Sequence, residues 1–92
     1  EQIVLIEFQS EWKEEVPLRV GEYLIRYCRK YRLPVVPVVF LFRAHGKATD
    51  VYESPYLRVR YHLVRVWELE GSALLAMGEL GLLPLVAAAR SS

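Results

Sequence analysis

The chain opens on a short apolar run, Ile3-Val4-Leu5-Ile6-Glu7-Phe8-Gln9, rich in β-branched residues and broken only near its end by two polar side chains. Such a run predicts a buried strand over residues 3–9. A polar connection, residues 10–15, follows. Val16, Val20, Tyr23, Leu24, Tyr27, Cys28 and Tyr31 then recur at helical spacing, with Arg19, Glu22, Arg26, Arg29 and Lys30 on the other side. This predicts an amphipathic helix over about residues 17–31, with Pro17 in its first turn and Glu14 and Glu15 on the favourable side of its dipole. Glu15–Arg19 and Glu22–Arg26 have the spacing of i,i+4 ion pairs. Leu33-Pro34 ends the helix.

Residues 35–42, Val-Val-Pro-Val-Val-Phe-Leu-Phe, are apolar without alternation, which predicts a strand buried on both faces. Pro37 belongs near its start, because proline donates nothing to a central ladder. Strand, helix and strand make a βαβ unit, which predicts parallel pairing. Ala44-His45-Gly46-Lys47 reads as a turn, and residues 48–57 as irregular. Residues 57–69 predict a third, longer strand, and Ser72 a cap for a short helix over residues 72–77. The tail is apolar without a clear period.

Composition narrows this picture. Ninety-two residues suit one small domain. A hydrophobic content of 53% is high for a domain this small. Either the sheet is covered on both faces, or some apolar surface meets another chain. The net charge of +1 gives no global case for nucleic acid. A single cysteine, Cys28, excludes an internal disulfide framework and a cysteine-cluster zinc site, and suggests a reduced, cytoplasmic setting. No run is long and apolar enough to suggest a membrane span. No small-molecule cofactor motif stands out.

The chemistry centres on Glu7 and Gln9. A carboxylate inside an apolar strand costs free energy unless it is paired. Metal ligation is one reason for such a residue; an ion pair with Arg19 is the other. Residues i and i+2 of a strand share a face, so Gln9 stands beside Glu7. Arg26, Arg29, Lys30 and Arg32 cluster at the helix end, either compensating the dipole or contacting phosphates. Arg58, Arg60 and His62 suit either a DNA backbone or an exposed sheet edge. Trp12 is either a contact residue or packing over the helix start. His45 and His62 lack a third zinc ligand.

Several segments in order carry a family resemblance. They are Ile6-Glu7-Phe8-Gln9, a helix with Arg19-x-x-x-Tyr23, Leu33-Pro34-Val35, residues 61–69 (Tyr-His-Leu-Val-Arg-Val-Trp-Glu-Leu), and Leu82-Leu83-Pro84-Leu85. Together they resemble the recombination-promoting nuclease family, a transposase-related branch of the PD-(D/E)XK nuclease superfamily. The resemblance implies a three-layer α/β core of the restriction-endonuclease type with a mixed sheet, and Mg²⁺-dependent DNA cleavage. It implies that Glu7 binds metal and that Gln9 stands where many members carry lysine, with Arg19 and Tyr23 in support. It also implies a metal-binding Asp on a strand ahead of residue 1. The expectation is therefore that these 92 residues are a fragment, inactive alone. The alternative is a non-catalytic, self-associating domain that keeps the fold, pairing through an open edge at residues 3–9.

Overall fold

The predicted first strand, helix and second strand form almost residue for residue in a computed structural model that describes residues 1–69. β1 spans Ile3–Gln9, α1 Val16–Tyr31 and β2 Val35–Leu41. β1 and β2 pair in parallel, in register from Ile3↔Val35 to Gln9↔Leu41. β3 (Val51–Ser54), β4 (Leu57–Arg60), β5 (His62–Arg65) and a 3-10 helix (Val66–Glu68) follow. The main sheet has the order β1-β2-β5. β5 is parallel to β2 from Val38↔His62 to Leu41↔Arg65. Over the described residues the fold is α/β: a small parallel sheet, one α-helix and a separate antiparallel β3–β4 hairpin.

Pro37 sits third in β2, the middle strand. Two features explain why the sheet accepts it. Phe42 N–H donates to the Gln9 carbonyl, so the even residues of β2 turn their amides toward β1 and the odd ones toward β5. Pro37 therefore faces β5, whose ladder begins one residue later, at Val38. No ladder hydrogen bond is lost.

The two faces of the main sheet bury different clusters. On the helix side, Val16 and Val20 of α1 pack with Val39, Val59 and Tyr61, and Trp12, Leu24, Tyr52 and Leu63 lie against them. Trp12 thus packs over the helix start. On the other face Ile6 and Phe40 are buried with Phe8, Val38, Val64 and Val66 around them. Phe8 meets Phe40 edge-on at 5.6 Å between ring centroids.

Three expectations need correction. The single long strand over residues 57–69 is two strands and a 3-10 helix. Tyr61 separates them, because β4 pairs with β3 while β5 pairs with β2. Buried Tyr61 donates its N–H to the Asp50 carbonyl and its hydroxyl to the Thr49 carbonyl, which bends the chain between sheets. Residues 48–57 are not wholly irregular, since Ser54-Pro55 leads into the hairpin turn between β3 and β4. The three strands of the main sheet are all parallel, not mixed.

The helix face is also narrower than its periodicity suggests. Val16, Pro17, Val20 and Gly21 are its buried residues. Cys28 and Tyr31 are exposed, because α1 extends a turn or more beyond its buried contacts. The helix closes at Arg32, whose backbone adopts a left-handed conformation (φ 55°) and whose N–H caps the Cys28 carbonyl. The short helix expected over residues 72–77 and the apolar tail, with its Leu-Leu-Pro-Leu segment, lie outside the described residues.

Candidate functional site: a buried Glu–Gln–Arg cluster

Strand alternation puts Glu7 and Gln9 on the face of β1 that looks toward α1. Their register partners are Val39 and Leu41, both fully buried. Glu7 is 4% exposed and Gln9 0%. Arg19, one turn into α1, reaches down onto both. Its Nε donates to Glu7 Oε1 at 3.2 Å, and its Nη2 donates to Gln9 Oε1 at 2.7 Å. A third contact, Nη1 to Glu15 Oε1 at 3.7 Å, reaches toward the surface. The Arg19 side chain is 24% exposed, while Glu15 is largely in water.

Arg19 therefore satisfies both readings offered by the sequence. It is the i,i+4 partner of Glu15 and the partner of the buried pair. A guanidinium suits this role because its planar fork presents several donors in fixed directions. The 2.7 Å bond to Arg19 also fixes which end of the Gln9 amide is oxygen. The Gln9 Nε2 that remains is buried and has no hydrogen-bond acceptor among the described residues. A buried donor left unmet costs about 1–3 kcal/mol, so its persistence calls for an explanation.

The remaining residues singled out by sequence separate into three groups. Tyr23 is half-buried and carries Arg26 over its ring at 5.7 Å. Glu22 makes no ion pair with Arg26 among the described residues. Arg26, Arg29, Lys30 and Arg32 line one shallow concavity of about 320 Å³ at the far end of α1. Arg58, Arg60 and His62 share another, of about 470 Å³, with Asp50 and Tyr61. Arg58 there is held by Glu53 at 3.2 Å.

Tyr61 has a role that sequence reading did not single out. Its hydroxyl is pushed well above the usual tyrosine range, first by burial and then by the nearby charge of Asp50. In sequence it stands between Arg60 and His62 and reads as one more strand residue. The contact with the Thr49 carbonyl was invisible without the fold.

The implied metal can be tested against this donor set. Mg²⁺ prefers several hard oxygen ligands in octahedral array. The cluster offers one carboxylate and one amide oxygen, and a guanidinium already binds both. No group of three or more His, Cys, Asp or Glu among the described residues is placed to hold a metal ion. The described residues alone do not fit Mg²⁺. His45 Nδ1 accepts the Lys47 N–H at 3.1 Å, a local turn contact. No helix among the described residues is long and apolar enough to cross a membrane. Comparison with protein-family models, curated proteins and solved structures gives no match to this chain.

Proposed function

We propose that this chain is part of a PD-(D/E)XK-type DNA endonuclease, contributing one side of the hydrolytic site through Glu7 and Gln9. One observation carries the reading: beside Glu7, Gln9 keeps a buried amide donor that meets no acceptor among the described residues, and the register partners of both, Val39 and Leu41, are apolar. A phosphate oxygen or an incoming carboxylate is the acceptor that such a donor suits. The parallel β1–α1–β2 unit with its i,i+2 polar pair is compatible with the restriction-endonuclease core that the sequence resembles.

In this reading Arg19 holds Glu7 and Gln9 in fixed positions, and Gln9 orients an oxygen beside the carboxylate. Metal chemistry requires further oxygen ligands from outside the described residues. β1 has no strand partner on its outer side among those residues, which leaves an edge for such a strand. The test is DNA cleavage by the protein translated from the complete gene. Mg²⁺-dependent nicking that Glu7→Gln abolishes supports the reading. Absence of nicking by the unmodified protein contradicts it.

A second reading, a non-catalytic self-associating domain, is favoured by a different observation. Leu18, Ile25 and Leu57 are exposed together along a groove between α1 and β4. Val4 and Phe42 are exposed as well. Apolar surface of this kind suits a second copy.

A further inference from the structure

The C-terminal half of α1 carries four cations with no ion-pair partner among the described residues. From Tyr23 to Arg32 the sequence is Tyr-Leu-Ile-Arg-Tyr-Cys-Arg-Lys-Tyr-Arg, with four cations and no acid. Arg26, Arg29 and Lys30 are spaced i, i+3, i+4 and so lie on one stripe. Arg32 joins them because the left-handed turn at the helix end folds the chain back, and all four line one concavity. None forms an ion pair among the described residues, where the paired cations are Arg19, Arg43 and Arg58. Compensating a helix dipole needs charge only within the last turn. Four converging cations repel one another, and Arg26 lies a full turn too early for that role.

Aromatic rings are interleaved with these charges. Arg26 lies over Tyr23 at 5.7 Å, and Lys30 over Tyr31 at 5.2 Å. Tyr27 and Tyr31 are tilted toward each other with centroids 6.0 Å apart. Tyr31 is 47% exposed at the end of the row. Cations that track a backbone beside rings on which bases stack are the features that bind single-stranded nucleic acid.

We propose that the C-terminal half of α1 is a single-stranded nucleic-acid site, with Arg26, Arg29, Lys30 and Arg32 on phosphates and Tyr31 stacking on a base. The site lies roughly 10–20 Å along the helix axis from Arg19, from the 1.5 Å rise per residue. It is separate from the Glu7–Gln9 cluster and does not depend on hydrolysis there. An anionic membrane shares the phosphate chemistry, and the vesicle arm of the experiment separates the two.

The experiment is fluorescence anisotropy of a labelled oligonucleotide of about 12 nucleotides, in EDTA, using the 92-residue chain and its variants. Salt is varied from about 50 to about 200 mM. Binding is expected to weaken steeply with salt. The double variant Arg29→Ala/Lys30→Ala should bind at least tenfold more weakly at low salt. It should also flatten the log–log salt slope by about 1.4, from two phosphate contacts at about 0.7 each. Arg29→Lys should keep the slope. Tyr31→Leu should lose about tenfold in affinity with the slope unchanged. Glu7→Gln should bind like the unmodified chain, which separates this site from the proposed hydrolytic one. Circular dichroism checks that the exposed substitutions leave the helix intact. Absence of binding by a folded chain, or an unchanged slope in the double variant, overturns the proposal. So does binding to phosphatidylserine vesicles in place of the oligonucleotide.

Discussion

At the scale of single residues, Arg19 holds the most consequential position. It is the partner through which buried Glu7 and Gln9 are tied to the helix. Removing one member of a buried ion pair costs about 3–5 kcal/mol, because the other is left in low dielectric. The part-exposure of Arg19 lets water soften that, so Arg19→Ala is expected to destabilise the chain by about 2–3 kcal/mol, read from urea unfolding. A change below about 0.5 kcal/mol, the range of an exposed pair, would show that the pair is no structural anchor. Glu7 and Gln9 were legible in the sequence as a same-face pair, because strand alternation is a strict geometric rule. That Arg19 would reach both was not legible. It depends on how α1 is rotated over the sheet, which the periodicity leaves open by a residue or so.

Tyr61 supplies a second residue-scale expectation, with a direction in pH. Its folded pKa is raised, so the unfolded chain ionises first. The stability that Tyr61 contributes is complete below about pH 10, the ordinary tyrosine value, and is lost as pH climbs above it. Tyr61→Phe removes the hydroxyl contact with the Thr49 carbonyl and should cost about 1 kcal/mol at neutral pH. It should also flatten the fall in melting temperature between about pH 9 and 11. Equal falls in both proteins would contradict the buried, neutral hydroxyl.

At the scale of elements, the packing of α1 on β4 rests on Gly21. A Cβ built there would meet Val59 Cγ2 at 3.0 Å. Alanine would improve helix propensity by about 1 kcal/mol, but Val59 is buried and its branched side chain has little room to move. Overpacking costs about 1–3 kcal/mol. Gly21→Ala is therefore expected to destabilise the chain by about 1 kcal/mol, and to become neutral or stabilising when Val59→Ala is also present. Additive effects in a double-mutant cycle would show that the two do not press on each other. The βαβ unit was readable because apolar runs and helical period alternate within residues 3–42. The hairpin and the break at Tyr61 were not. Residues 57–69 read as one strand whether they join one sheet or two, and only partners distant in sequence decide.

At the scale of the whole molecule, the described residues form one helix-covered sheet with an open β1 edge and an exposed apolar groove. The sequence signalled this through its high hydrophobic content and the open edge expected at residues 3–9. It could not say which residues would be exposed. If that surface pairs copies of the chain, sedimentation should show a dimer or larger species at high protein concentration, and Ile25→Glu should return it to monomer. A strict monomer would remove the self-association reading and leave the buried polar cluster to account for function.

The most direct test of the hydrolytic reading compares cleavage and folding in one variant. Glu7→Gln keeps the shape of the side chain and removes its charge. In the protein from the complete gene, with Mg²⁺ and supercoiled DNA, it should lower the nicking rate at least about a hundredfold, the scale of a lost acid–base or charge-stabilising group, while Gln9→Ala lowers it less. The melting temperature of Glu7→Gln, which keeps a hydrogen-bond acceptor for Arg19, should fall by about 4–8 °C, as expected for about 1 kcal/mol in a domain of this size. Nicking at the unmodified rate by a folded Glu7→Gln protein would contradict the account, and would leave Glu7 as a structural partner of Arg19.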